Sequence, residues 1–152
     1  MLFRSHNLNS CDGNIKVIFQ KDYISRDRGR VIYGITEVEV YGYYKPASEF
    51  TIKICANNSH NKIINVIFHE LTHVKQYCKK ELIIAPAGFL WKGIHHSNKP
   101  ETHQDYLDQP WEVEARTLAY ESYATWKTQR PVIAWHEKVA RYFKNMLTSL
   151  KK

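Results

Sequence analysis

Two histidines with a glutamate beside the first are the residues of this chain whose types and spacing could do chemistry. They belong to the run His69-Glu70-Leu71-Thr72-His73. On a helix, residues four apart lie one turn apart on the same face, so both imidazole rings can bind one metal ion. The Glu70 carboxylate would then lie one step around the helix, within reach of a metal-bound water. The pattern predicts zinc ligands at His69 and His73 and a general base at Glu70.

The residues around this run predict the helix that the pattern requires. Apolar side chains recur at spacings of three and four between positions 62 and 79; they are Ile63, Ile64, Ile67, Leu71 and Val74. Asn61, or Ser59 just before it, can cap the start of such a helix. We therefore expect a buried helix whose side chains are mostly apolar apart from one polar group, which contains the two histidines and the glutamate.

A catalytic zinc site requires a third protein ligand, because the fourth position is left for water or substrate. The segment 108–116 predicts the start of a second helix, in which Pro110 suits the first turn and Asp108 can act as the cap. Glu112 and Glu114 lie two residues apart in this helix and point to nearly opposite sides. Only one of these two carboxylates can therefore face the metal.

The neighbours on the helix favour Glu112 as the third ligand. Ala115 and Ala119 share its face, and such small side chains let two helices approach closely. Glu114 lies on a mixed polar and apolar face, which gives it no reason to approach a metal. Three histidines between the two helices are the less favoured alternatives, because loop histidines are usually surface residues; they are His95, His96 and His103.

The run His69-Glu70-Leu71-Thr72-His73, followed by Pro-Trp-Glu-Val-Glu-Ala at 110–115, resembles the gluzincin branch of the zincin metallopeptidases. More narrowly, residues 62–126 are similar to small minigluzincin-like proteins of phages, prophages and bacteria. The resemblance implies an α+β, zincin-like fold in which a small mixed β-sheet packs on the motif helix. It also implies one Zn²⁺ ion bound by His69, His73 and Glu112, with Glu70 as the general base.

The resemblance further implies that the edge strand of the sheet binds a protein or peptide substrate in an extended conformation. The chain departs from the family pattern at one position. Arg116 stands four residues after Glu112, where the family has an aspartate that orients a metal-bound histidine. The residue that would orient the histidines is therefore not identified by the sequence.

Length and composition predict a single zincin-like domain over residues 1–152, because a chain of this size that is 43% hydrophobic can bury one core. The N-terminus has no apolar leader and no run is long enough to span a membrane, so we expect a cytoplasmic protein. Three cysteines without paired spacing argue against a disulfide framework. The net charge of +7 is scattered along the chain, which makes nucleic-acid binding the less favoured interpretation.

The remaining patterns predict strands first and helices later. We expect a strand at 15–19, a hairpin of 31–44 and 50–55 turned at 45–48, a second hairpin of 82–84 and 88–94, a loop at 95–109 and a C-terminal helix at 131–150. The first hairpin is the candidate for the substrate-facing edge. Gly42 interrupts one face of its first strand and is a candidate for a bulge or for a close backbone approach.

The function that these residues favour is hydrolysis of peptide bonds by a zinc-activated water. A second hypothesis is a SprT-like, DNA-associated protease, which has the same motif in a small basic protein but takes a histidine as its third ligand. A third is a non-catalytic binding or regulatory module that keeps the zincin fold. The donor that would stabilise the oxyanion stays open among four residues, which are Tyr120, Tyr123, Arg116 and His103.

Overall fold

Three small β-sheets and three α-helices make up the part of the chain that the computed structural model describes, namely residues 14–21, 25–27, 30–39, 43, 49–97 and 100–128. The strands are β1 (Asn14–Gln20), β2 (Ser25–Asp27), β3 (Arg30–Ile32), β4 (Gly34–Glu39), β5 (Glu49–Cys55), β6 (Leu82–Ala85), β7 (Gly88–Trp91) and β8 (Ile94–Ser97). The helices are α1 (His60–Cys78), α2 (His103–Leu107) and α3 (Pro110–Thr128). This mixed composition confirms the expected α+β class.

The first sheet has the strand order β1-β5-β4, with β1 parallel and β4 antiparallel to the central strand β5. Successive side chains of β5 point to opposite faces, so Phe50, Ile52 and Ile54 are buried in one hydrophobic core with the apolar face of α1. The first hairpin expected from sequence is therefore present, and β4 is an edge strand among the described residues. Its turn at 45–48 and Gly42 lie outside the described residues.

Helix α1 forms where the apolar periodicity predicts it. Ser59 is the N-cap, and its Oγ accepts a hydrogen bond from the Lys62 backbone N–H at 3.4 Å. At the other end, Lys80 adopts a left-handed conformation with φ of 57°. The backbone N–H of Glu81 then donates to the Gln76 carbonyl at 2.9 Å, the arrangement of a Schellman motif. This ending directs the chain away from α1 into β6.

The stretch 95–109, expected to be a loop, contains two elements instead. Strand β8 pairs with β7 and completes an antiparallel sheet with the order β6-β7-β8. The turn between β7 and β8 is formed by Lys92 and Gly93, which both have positive φ, as a two-residue hairpin turn of type I′ requires. Helix α2 begins with a capping box in which Thr102 and Asp105 exchange side-chain and backbone hydrogen bonds.

Helix α3 begins at Pro110, as expected, but Asp108 is not its cap. Asp108 instead ends α2 as the C-cap residue. Helix α3 packs along α1, and the face that carries Ala115 and Ala119 is buried, with 0% and 1% of these residues exposed. The alanine-lined face expected from sequence is confirmed. The expected C-terminal helix at 131–150 lies outside the described residues.

The cysteines differ from the sequence expectation at one position. Cys55 is a buried free thiol, whereas Cys78 is disulfide-bonded to a partner outside the described residues. The sequence argued against a disulfide framework and did not predict the bond of Cys78, because spacing along the chain does not show which cysteines meet in space. In the part of the chain that is described, no helix has the length and apolar character to cross a membrane.

Candidate metal centre

Three side chains from two helices converge at one point between α1 and α3. His69 and His73 come from adjacent turns of α1, and Glu112 comes from the first turn of α3. One ligand atom of each residue lies within 4.8 Å of the other two, so the group could hold a metal ion. The structure therefore brings together the three residues that the sequence singled out as ligands.

The distances between the donor atoms fit a small tetrahedral cation. The two histidine Nε2 atoms are 3.1 Å apart, and each lies 3.3 Å from one oxygen of Glu112. Donors about 2.0–2.1 Å from a tetrahedral zinc ion lie about 3.3 Å from one another. Lone pairs that converge this closely repel each other unless a proton or a cation lies between them. The donor set, two imidazoles and a carboxylate, is one that zinc accepts in catalytic sites.

Gln76 fixes the orientation of His73. Its Oε1 lies 2.9 Å from His73 Nδ1, while its Nε2 donates to the Trp111 carbonyl at 2.9 Å and to Glu114 Oε2 at 3.0 Å. Because the amide nitrogen faces two acceptors, the amide oxygen must face the histidine. His73 therefore carries a proton on Nδ1, and its Nε2 faces Glu112 and His69. Gln76 thus orients a histidine of the donor group. The sequence identified no residue for this role, because Arg116 stands where the family has an aspartate.

The Glu112 carboxylate is held in place by Tyr106 of α2, a residue that the sequence analysis missed. The Tyr106 hydroxyl donates to Glu112 Oε1 at 2.9 Å. Burial alone would raise the pKa of Glu112, but hydrogen bonds from His69 and His73 hold it well below its usual range. Burial and the Glu112 charge raise the pKa of Tyr106, so its hydroxyl stays protonated and acts as a donor. The third ligand position is therefore an ionised carboxylate.

Glu70 lies beside the three-donor group without belonging to it. The residue is 4% exposed, and its Oε2 accepts a hydrogen bond from Thr36 of β4 at 2.8 Å. Burial raises the pKa of Glu70, an effect that the neighbouring His73 and His69 oppose. A carboxylate with a raised pKa accepts a proton more readily near neutral pH, as a general base requires.

The alternative ligands of the sequence analysis lie outside the group. Glu114 is hydrogen-bonded to Gln76 and to Lys75, with Lys92 also nearby. His95 contacts the Pro86 carbonyl, His96 packs edge-on against Trp111, and His103 stacks on Tyr106. Glu114 is therefore not part of the donor group, but it contacts Gln76, the residue that orients His73.

The four residues considered as oxyanion donors are placed differently from one another. Tyr120 is 71% exposed on α3, Tyr123 stacks against Trp126, and His103 stacks on Tyr106. Arg116 donates to the Leu107 carbonyl, which ties α3 to the end of α2. Tyr106, which was not among them, is the tyrosine whose hydroxyl contacts a residue of the donor group.

The fold and the site define an α+β protein with a candidate metal centre built from two helices. Comparisons of the chain with protein-family models, with curated proteins and with solved structures found no match. The geometry of the site is therefore the basis for inferring the function.

Replacing Gln76 with Ala should weaken zinc binding by about 10- to 100-fold, the usual cost of losing a residue that orients a metal-bound histidine. The reason is that His73 Nδ1 would lose its acceptor at 2.9 Å and the ring would no longer be fixed. Titration against a chromophoric chelator measures this change. Gln104→Ala, which alters an exposed glutamine of α2, is the matched control and should bind zinc like the unmodified protein. Equal affinities for the two variants would contradict the role given to Gln76.

Proposed function

We propose that the protein is a zinc-dependent metallopeptidase with a zincin-like fold. The observation that carries the proposal is the position of Glu70 next to a three-donor group with tetrahedral spacing. Catalytic zinc sites have three protein ligands and an open position, and the peptidases among them place a carboxylate beside that position. His69, His73 and Glu112 would bind the ion, and Glu70 would act as the base.

The protein side chains have separate tasks in the proposed reaction. Zinc bound by the three ligands would supply Lewis acidity and lower the pKa of a bound water to about 7. Glu70 accepts the proton of the attacking water and later donates it to the leaving amine. Tyr106 holds Glu112 in position, and Gln76 fixes the ring of His73 so that its Nε2 would be available to the ion.

The proposed substrate is an extended segment of a protein or peptide that pairs with the edge of β4 that is unpaired among the described strands. Strand β4 is bonded to β5 on one side, and Thr36 in the middle of β4 contacts Glu70 directly. An extended peptide that adds to a sheet edge obtains its affinity from main-chain hydrogen bonds. A peptide paired with β4 would therefore pass next to the general base.

A peptide-library digest tests the proposal. The zinc-loaded protein should cleave a subset of peptides, and mass spectrometry should locate the new termini. A chelator should abolish cleavage, and added zinc should restore it. Stoichiometric zinc without cleavage of any peptide would instead support the non-catalytic binding module. Absence of zinc from a folded protein would contradict the proposal altogether.

A further inference from the structure

We infer that β4 positions the general base: Thr36 holds one oxygen of the Glu70 carboxylate, and Gly34 leaves the space that the other oxygen occupies. The inference rests on the proposed function, since it names the residues that would determine the geometry of its base. Both residues belong to the sheet, whereas Glu70 and the two histidines belong to α1. The precision of the site would then depend on how the sheet packs on the helix.

Thr36 contacts Glu70 twice. Its Oγ1 lies 2.8 Å from the carboxylate Oε2 and 3.1 Å from the backbone carbonyl of the same residue. A hydroxyl carries a single hydrogen, which Thr36 therefore shares between two acceptors that both belong to Glu70. Threonine is also restricted at χ1, which limits the directions in which the hydroxyl can point. The contact therefore fixes both the carboxylate and the helix turn that carries it.

Gly34 faces α1 from the same side of β4, because residues two apart in a strand point to one face. A Cβ at this position would lie 2.7 Å from Glu70 Oε1 and 2.3 Å from Val66 Cγ1. Both distances are shorter than van der Waals contact, so any side chain here would displace Glu70, Val66 or the strand. The missing side chain is therefore what allows β4 to lie directly against the base.

Thr36 and Gly34 give the two oxygens of the Glu70 carboxylate different surroundings. Oε2 is occupied by the Thr36 hydroxyl, and among the described residues no side chain donates to Oε1. A base needs one oxygen with a free lone pair in a defined place, and here that oxygen is Oε1. Thr36 is thus a positioning residue, because it acts on the reaction through Glu70.

A double-mutant cycle in the metal-free protein tests the contact without depending on catalysis. The cycle compares Thr36→Val, Glu70→Met and the double variant, which keep side-chain volume while removing the donor and the acceptor. Hydrogen bonds to charged groups are strong enough that the unfolding equilibrium constants should show a coupling factor of about ten or more. Urea titration measures these constants. A coupling factor indistinguishable from one would overturn the inference.

Steady-state kinetics of the zinc-loaded protein test the consequence for the reaction. Thr36→Val should lower kcat by about 10- to 100-fold with KM and zinc content unchanged, because a displaced base misses the reacting atoms. Thr36→Ser keeps the hydroxyl and should recover most of the activity. Thr51→Val is the matched control, because Thr51 lies on the face of β5 that points away from the buried side chains of that strand. This variant should behave like the unmodified protein.

Gly34→Ala should lower kcat in the same way while Thr36 is intact, because the added methyl group displaces Oε1. Full activity of Thr36→Val, or loss of activity that Thr36→Ser does not relieve, would overturn the inference. If the unmodified protein cleaves no peptide, the proposed function fails. The coupling factor in the metal-free protein then still decides whether Thr36 fixes Glu70.

Discussion

The Glu112→Ala protein is expected to lose stoichiometric zinc, whereas the Glu114→Ala protein should retain it. Glu112 supplies the only carboxylate oxygens of the described donor group, each 3.3 Å from a histidine Nε2. Without it, two histidines would remain, which is fewer than the three protein ligands of a catalytic site. The loss of affinity should exceed the roughly 10- to 100-fold cost of removing an outer-shell residue.

Glu114→Ala is a closely matched control for Glu112→Ala, because both variants remove a glutamate of α3 near the donor group. It accepts hydrogen bonds from Lys75 and from Gln76, so its removal reaches His73 only through Gln76. A small loss of affinity is therefore expected, with one zinc per chain still bound. Metal analysis after gel filtration, together with a chelator titration, separates the two variants. Zinc loss from Glu114→Ala with zinc retained by Glu112→Ala would show that the third ligand is misassigned.

The Glu70→Gln protein is expected to bind zinc normally and to lose hydrolysis by about 10²- to 10⁴-fold, the range that general acid–base catalysis contributes. Glutamine has the shape of glutamate, and its amide oxygen can still accept from Thr36, so the fold should be preserved. It cannot take a proton from water. Because burial disfavours the charged form of Glu70, the neutral variant should unfold at the same denaturant concentration or a higher one.

Initial rates on a peptide that the unmodified protein cleaves, measured at equal zinc content, provide this comparison. Thr51→Val again serves as a control for a polar change outside the site. Undiminished hydrolysis by the Glu70→Gln protein would remove Glu70 from the role of base and would point to another proton acceptor near the metal centre.

The part of the site that depends on helical periodicity could be predicted from the sequence. The spacing of His69 and His73 places them on one face of α1, and the alanines of α3 identify the face of Glu112. Gln76 was also accessible to such reasoning, because it lies three residues after His73 on the same helix. The family pattern places the orienting residue at the position of Arg116 instead, so the pattern does not single out Gln76.

The contacts made by Thr36 and Tyr106 could not be predicted in this way. Thr36 meets Glu70 across 34 positions of sequence and from a different kind of element. Tyr106 precedes Glu112 by only six residues, but its hydroxyl reaches the carboxylate because α2 folds back on α3. Such contacts depend on how the elements pack, and a one-dimensional pattern carries no information about packing.

The expected loop at 95–109 contains a strand that the local sequence pattern does not predict, because this strand depends on pairing with its neighbour. Strand β8 is short and its residues are largely exposed, so no apolar alternation marks it. It forms because Lys92 and Gly93 return the chain onto β7. The capping box of α2, in contrast, was visible in the sequence as Thr102 followed by Asp105 and could have located that helix.

The division of the donors between α1 and α3 has a thermodynamic consequence. His73 and Glu112 are 39 positions apart in the chain and lie side by side only when α3 is packed on α1. A cation that needs both helices binds the packed state and not the separated one, so each increase in its free concentration adds to the stability of that state. At a concentration one thousand times its dissociation constant, the gain is about 4 kcal/mol. Metal supply would then set how much of this small protein is folded as well as how much is active.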